Sequence, residues 1–278
     1  MKWPYYRNAL AIVCIGHIII VTFNLMSLYL ENPFHTAAPP SSAEVMTCSE
    51  HHTIYIPGAG FSGFFYTLGR LNSMHINETL MDSPSYEYYC FSSGCLALTT
   101  HLMQMNVDSA LQLAQSSRQQ FISGNISLYN VVEKFVDGLL FENDETHLLN
   151  SNATRHHHHY LNQHLSRIHV ITTSWNNTNL PSQSIRRPSS VDELKQMLIQ
   201  TTWIPFVTGS SWFEGDYHND GGFAIVFGLK GLKQTCDSNC YSLKLPWRLD
   251  LLGNFLNIFL SRESAVFFWE EGLKRGIY

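Results

Sequence analysis

The sequence predicts an α/β fold, and two stretches carry that expectation. Each is a strand-like run, a tight loop of small residues, and then a helical run. In the first, His51-His52-Thr53-Ile54-Tyr55-Ile56-Pro57 reads as a strand, Gly58-Ala59-Gly60-Phe61-Ser62-Gly63 as a loop, and Phe64 to Leu71 as a helix. In the second, the aromatic run Tyr86-Glu87-Tyr88-Tyr89-Cys90-Phe91 favours a strand. Ser92-Ser93-Gly94 then turns the chain, and Cys95 to Met103 continues with helical spacing. Composition agrees. The 278 residues are 45% hydrophobic and 14% charged, which suits a domain of about 200–230 residues with a full core and an apolar segment outside it. The net charge of −5, without a basic block, argues against nucleic acid as a partner. The 13% aromatic content suits apolar surfaces, within a core or against a ligand. No internal repeat is present.

Taken in order, residues 1–7 carry Lys2 and Arg7 and no acid, and Ala9 to Leu30 is almost wholly apolar. That run has the length needed to span a bilayer, about 20 residues. The basic residues before it and Glu31 after it place the N-terminus in the cytosol and the rest across the membrane. A cleaved signal peptide is the rival reading, with small residues at Ala37, Ala38 and Ala43, but its apolar core is normally shorter. The expectation is an uncleaved signal-anchor over residues 1–30. A Pro- and Ser-rich linker follows over 31–45, and the folded domain covers 46–278.

The glycine loop admits three readings. Gly58, Gly60 and Gly63 match the G-x-G-x-x-G spacing of a dinucleotide site, which needs an acid at the tip of the next strand. Glu78 and Asp82 lie near the required distance but in a polar stretch. An oxyanion hole is the second reading, favoured by the serine turn on the following strand. A purely structural turn is the third. Strand, glycine loop and helix together present backbone N–H groups to an anion.

Further along, Gln104 to Asp137 is helical in pattern with a break at Ser123-Gly124-Asn125, and Leu139 to Gln163 is polar and irregular. The run His156-His157-His158-His159 lacks the spacing of a helical metal site and reads as a surface loop. Ile168 to Trp175 is a strand, and Asn176 to Ser189 a polar loop. Ser190 caps a helix over Val191 to Thr202, with Asp192 and Glu193 in its first turn. Asp220-Gly221-Gly222 precedes a strand at Phe223 to Phe227, and Leu251 to Leu260 reads as a core helix. Four sequons, at Asn77, Asn125, Asn152 and Asn176, fit a lumenal or extracellular domain. Cys236 and Cys240, in a short loop of turn residues, are expected to pair, and Cys48, Cys90 and Cys95 then leave an odd count.

Strand, serine at the apex of a sharp turn, then helix is the form of a nucleophile elbow. Cys90-Phe91-Ser92-Ser93-Gly94 follows the G-x-S-x-G pattern except at its first position. With the glycine loop before it and Asp220-Gly221-Gly222 after it, the chain resembles the patatin-like phospholipase family over roughly Thr53 to Phe227. The run GAGFSGFFYTLG is most similar to the adiponutrin and triacylglycerol-lipase branch. Pro205, after Thr201-Thr202-Trp203, also matches the stretch upstream of the family's aspartate. The resemblance implies a three-layer α/β/α sandwich around a mixed central sheet, with Ser92 as nucleophile and Asp220 as its base. It also implies an oxyanion hole drawn from Gly58, Ala59, Gly60, Phe61, Ser62 and Gly63. Cys90 in place of glycine, and Ser62 where many relatives carry Arg or Lys, are departures.

The expected function is therefore a membrane-anchored lipid acyl hydrolase, a serine hydrolase of carboxylic esters that needs no cofactor and no metal. Its partners would be a lipid ester and the membrane. A patatin-like lipid-binding or scaffolding protein without turnover is the alternative. A Ser-His-Asp hydrolase of another fold is the third reading.

Overall fold

The computed structural model describes residues 52–77, 86–127, 130–141, 159–175, 182–205, 208–209, 211–214, 217–222, 240–243 and 260–274. The expected signal-anchor and linker lie outside these residues. So do the four-histidine run apart from His159, the strand expected at 223–227, the helix expected at 251–260 apart from Leu260, and Cys236. No helix among the described residues is long and apolar enough to cross a membrane.

A six-stranded mixed sheet organises the rest. Its strands are β1 (His52–Ile56), β2 (Tyr86–Cys90), β3 (Ile168–Ser174), β4 (Ser182–Arg186), β5 (His218–Asp220) and β6 (Cys240–Ser242). The order is β4-β3-β2-β1-β6, with β5 also paired to β3. β6, β1, β2 and β3 are mutually parallel, whereas β4 and β5 run antiparallel to β3. The expected strands at the glycine loop, the serine turn and Ile168 are all present. The polar stretch 176–189 is corrected: it contains β4, an edge strand with its backbone paired and none of its residues fully buried.

The helices are α1 (Gly60–Asn77), α2 (Ser93–Leu102), α3 (Val107–Ile122), α4 (Val131–Leu140), α5 (Val191–Thr201) and α6 (Arg262–Lys274). The chain steps β1 to β2 to β3 in one direction across the sheet, and right-handed crossovers then put the connecting helices on one face. The core follows. Ile54, Ile56, Tyr88, Cys90, Ile168 and Val170 face the helices, and residues from each of the helices named above join them in one buried cluster. On the opposite face sits a smaller cluster of Tyr89, Phe91 and Ile171 with Tyr55 against it. Beside it, His169 stacks on Tyr89 and bonds Glu87 at 3.1 Å. Burial, with the Arg187 charge, lowers His169 to about 4 against the pull of Glu87.

Two helix boundaries have local causes. Asn106 and Ser190 accept N–H groups of Ser109 and Glu193, capping α3 and α5. The expected break between α3 and α4 falls at Ser123 and Gly124, the latter with φ 78°. Asn125, one of the four sequons, is exposed just beyond it.

Candidate active site

β3 brings the two distant motifs together. β4 occupies one edge of β3 from Val170 to Ser174, so β5 must use the other edge, the one already taken by β2. β2 and β5 thus share one lane, approaching from opposite ends. β2 stops at Cys90, opposite Val170, and β5 stops at Asp220, opposite Thr172. The serine turn and the aspartate meet in the gap between them.

Ser92 follows directly on Phe91, at the junction of β2 with α2. Its backbone is at φ 52°, ψ −139°, a left-handed conformation that a non-glycine residue adopts only where surrounding structure enforces it. Several contacts do so. The Ser92 N–H donates to Thr201 Oγ1 at 2.9 Å, and that hydroxyl donates in turn to the Ile171 carbonyl at 2.6 Å. The Gly94 and Cys95 N–H groups close the turn on the carbonyls of Phe91 and Ser92. A disulfide joins Cys90 to Cys95, spanning the turn from strand end to first helical turn. This corrects the cysteine count: Cys90 and Cys95 pair with each other, and Cys48 lies outside the described residues.

The Ser92 side chain lies near enough to the Asp220 carboxyl group to lower its pKa. Asp220 is buried and tied at three points. Its N–H donates to the Trp203 carbonyl, its carbonyl accepts from Thr173 Oγ1, and its Oδ1 accepts the Gly222 N–H at 2.7 Å. Burial raises its pKa to about 6, while the Ser92 side chain and the bond from Gly222 pull it down. Three histidines are engaged elsewhere: His101 with Asn72, His169 with Glu87, and His218 with Thr172. Asp220 is the last residue of β5, and the strand expected after it lies outside the described residues.

The glycine loop reaches the same point. A Cβ on Gly58 would lie 2.3 Å from the Ser92 Cβ and 3.0 Å from its Oγ, so only glycine lets the two loops approach this closely. Gly60, at φ 61°, begins α1. The six oxyanion candidates then divide. The Ala59 N–H donates to Ser93 Oγ at 2.9 Å, and the Gly63 N–H closes the first turn of α1 on the Ala59 carbonyl. Ser62 is buried within α1. Gly60 and Phe61, in the first turn where N–H groups have no partner inside the helix, line a pocket with Ser92 and Ser93.

That pocket, of about 80 Å³, is walled mainly by Phe64, Phe65, Leu96, Val132, Phe135 and Ile204. A small apolar group would be desolvated there beside the serine hydroxyl. Among the described residues no cluster of side chains is arranged to hold a metal ion. The residues that sequence reasoning missed are Thr201, Ser93, Thr173 and the Cys90–Cys95 pair. Thr201, Ser93 and Thr173 act through contacts distant in sequence, whereas the two cysteines lie only five residues apart.

No protein-family model matches the chain, and neither a curated protein nor a solved structure matches it.

Proposed function

We propose that this chain is a carboxylic ester hydrolase of the patatin-like type, acting on lipid acyl esters through a Ser92–Asp220 dyad. One observation carries the reading: a serine held at φ 52° on a strand–helix turn, beside a buried aspartate at a strand end whose pKa its side chain lowers. A serine hydroxyl is a poor nucleophile at neutral pH and needs a base within hydrogen-bond reach. A carboxylate with a pKa of about 6 is ionised at neutral pH and is a better base than an ordinary aspartate.

In this mechanism the Asp220 carboxylate takes the Ser92 proton as Oγ attacks the ester carbonyl. The oxyanion forms against the Gly60 and Phe61 N–H groups, where the N-terminal end of α1 favours negative charge. Protonated Asp220 then donates to the leaving alcohol. Water, deprotonated by Asp220, hydrolyses the acyl-enzyme. The aromatic and aliphatic pocket supports an acyl chain as the group bound beside Ser92. The sandwich architecture, the signal-anchor and a lumenal or extracellular hydrolase domain belong to the same proposal. The Cys90–Cys95 disulfide supports the compartment, because disulfides persist where thiols are not kept reduced.

The test is fluorophosphonate labelling of the purified full chain, wild type against Ser92→Ala. Labelling of wild type at Ser92 and none of the variant is expected. An unlabelled wild-type protein that still binds a fatty acid would instead support the non-catalytic lipid-binding reading.

A further inference from the structure

The cross-link at the serine turn does more than staple two neighbouring elements. Cys90 is the last residue of β2, paired in register with Ile56 of β1 and Val170 of β3, so its backbone is fixed on both sides. Cys95 lies in the first turn of α2, which is buried along its whole length. Only Phe91, Ser92, Ser93 and Gly94 lie between them, and the two Cα atoms are 4.9 Å apart. The bond therefore closes a small ring whose central residues include the strained one. Helix α2 starts without a side-chain cap at Ser92, so capping does not hold its first turn in place.

We propose that the Cys90–Cys95 disulfide is a covalent clamp on the nucleophile turn, positioning Ser92 for attack, so that opening it costs turnover before it costs the fold. The inference rests on the reading of Ser92 as nucleophile. Without the bond, the turn is held by the Thr201 contact, the bond of Ser93 Oγ to the Ala59 N–H and two backbone hydrogen bonds, and a left-handed serine has a lower-energy conformation available to it. Relaxation would carry Oγ away from Asp220 and from the first turn of α1. Displacement of a reacting group by about 1 Å costs up to about a hundredfold in rate. Both cysteines are buried, so a reductant reaches the bond only when the turn opens locally. Chemically, a dithiol gives two electrons and two protons to the S–S bond. Two protein thiols form, and the dithiol leaves as its own cyclic disulfide.

The experiment uses the full chain, oxidised, reduced with dithiothreitol, and re-oxidised, beside the double variant Cys90→Ser/Cys95→Ser. Alkylation and peptide mapping report the thiol state, and thermal melting reports the fold. The readouts are the fluorophosphonate labelling rate at Ser92, and kcat and KM for a short-chain nitrophenyl ester. Reduced protein and double variant are expected to melt cooperatively above the assay temperature. Their labelling rate and kcat should fall by about tenfold to a hundredfold with KM little changed. Re-oxidation of the wild type should restore both. Should the double variant fail to fold, the reduced and re-oxidised wild type decides alone.

Three results overturn the clamp. One is wild-type labelling by the reduced, folded protein. The second is recovery of Cys90 and Cys95 as free thiols from fully active protein. The third is a loss of kcat that only follows the fraction unfolded. Failure of oxidised wild type to label at all has a different meaning, because it removes Ser92 as nucleophile and the clamp with it.

Discussion

The chain builds the same unit twice, side by side, and the two copies differ where it matters. β1 and β2 are parallel and in register, with Ile56 opposite Cys90, and each runs through a tight loop into a helix. The first unit places its positive φ on Gly60, where no side chain resists it. The second places it on Ser92, at a cost of about 1–3 kcal/mol. The first passes into α1 through a backbone bond from Gly63 to Ala59, whereas the second needs Thr201 from a distant helix, Ser93 bonded back to the first loop, and a disulfide. Extra fastening accompanies the strained copy. A hydroxyl lifted clear of the sheet at the mouth of a pocket is the evident return on that cost.

The most severe way to break this asymmetry is to remove the hydroxyl. Ser92→Ala should lower ester turnover by about 10⁴-fold or more. Asp220→Asn should come close to it, and adding it to Ser92→Ala should cost little further, because the two groups act as one unit. His101→Ala, which removes a contact to Asn72 and none to Asp220, should retain most activity in whatever fraction is folded. Turnover of a nitrophenyl ester, normalised to folded protein by melting, distinguishes these outcomes. A dead histidine variant beside an active Asp220→Asn would replace the dyad with a triad.

Next in size is a change made in the unstrained copy but felt in the strained one. Gly58→Ala would put a Cβ 2.3 Å from that of Ser92 and 2.9 Å from the Phe91 carbonyl. Overpacking of this kind costs about 1–3 kcal/mol, and the shift it forces falls on the nucleophile, so a loss of about a hundredfold in kcat is expected. If kcat were unchanged while stability dropped, the approach of the two loops would have no bearing on chemistry.

The pH response sharpens the comparison through Asp220. Activity requires its carboxylate, so kcat/KM should rise as pH increases through about 6 and level off above it. Stability should move the other way. The folded-state pKa is raised above the ordinary 3.8, so the folded chain holds the proton more tightly than the unfolded one. That contribution is fully present below about 3.8 and is lost as pH rises through about 6. Asp220→Asn should therefore gain stability relative to wild type at pH 8 and not at pH 4. Equal differences at both pH values would mean the carboxyl group is not buried as described.

Much of this site was legible from order and spacing alone, because strands β1, β2 and β3 are hydrophobic or aromatic runs and α5 carries a cap and first-turn acids. What was missed depends on tertiary context. β5 is His-Asn-Asp, poor strand formers that become a strand by pairing with β3 and bonding His218 to Thr172. β4 escaped because an edge strand with no buried residue needs no hydrophobic alternation. α1 begins four residues earlier than expected, since the glycines that read as loop also open a helix. The disulfide was sought at Cys236 and Cys240, where turn residues advertise it. Cys90 and Cys95 carried a subtler signal, one at a strand end and one in the next helix's first turn. Helix α6 was not expected from the sequence; in the structure Ser261 accepts the Ser264 N–H at its start, and Glu263 lies in its first turn.

The smallest expected effect isolates conformation from contact. Gly60 holds the positive φ of the first unit, so Gly60→Ala sets an L residue at a positive φ, as Ser92 already is in the second. The cost should be about 1–2 kcal/mol of stability. Gly60 lines the pocket and its N–H is kept in the variant, so kcat should change by less than about tenfold, set by how far the first turn of α1 shifts. Chemical denaturation read beside ester turnover gives both numbers from one preparation. A stability loss with nearly intact kcat would mean that a single left-handed residue is tolerated here on backbone grounds. It would also mean that the fastening around Ser92 serves the position of its hydroxyl. A collapse of kcat to the level of Gly58→Ala would reverse this. The first turn of α1 would then be as demanding as the serine turn, and the two units would differ in sequence rather than in tolerance.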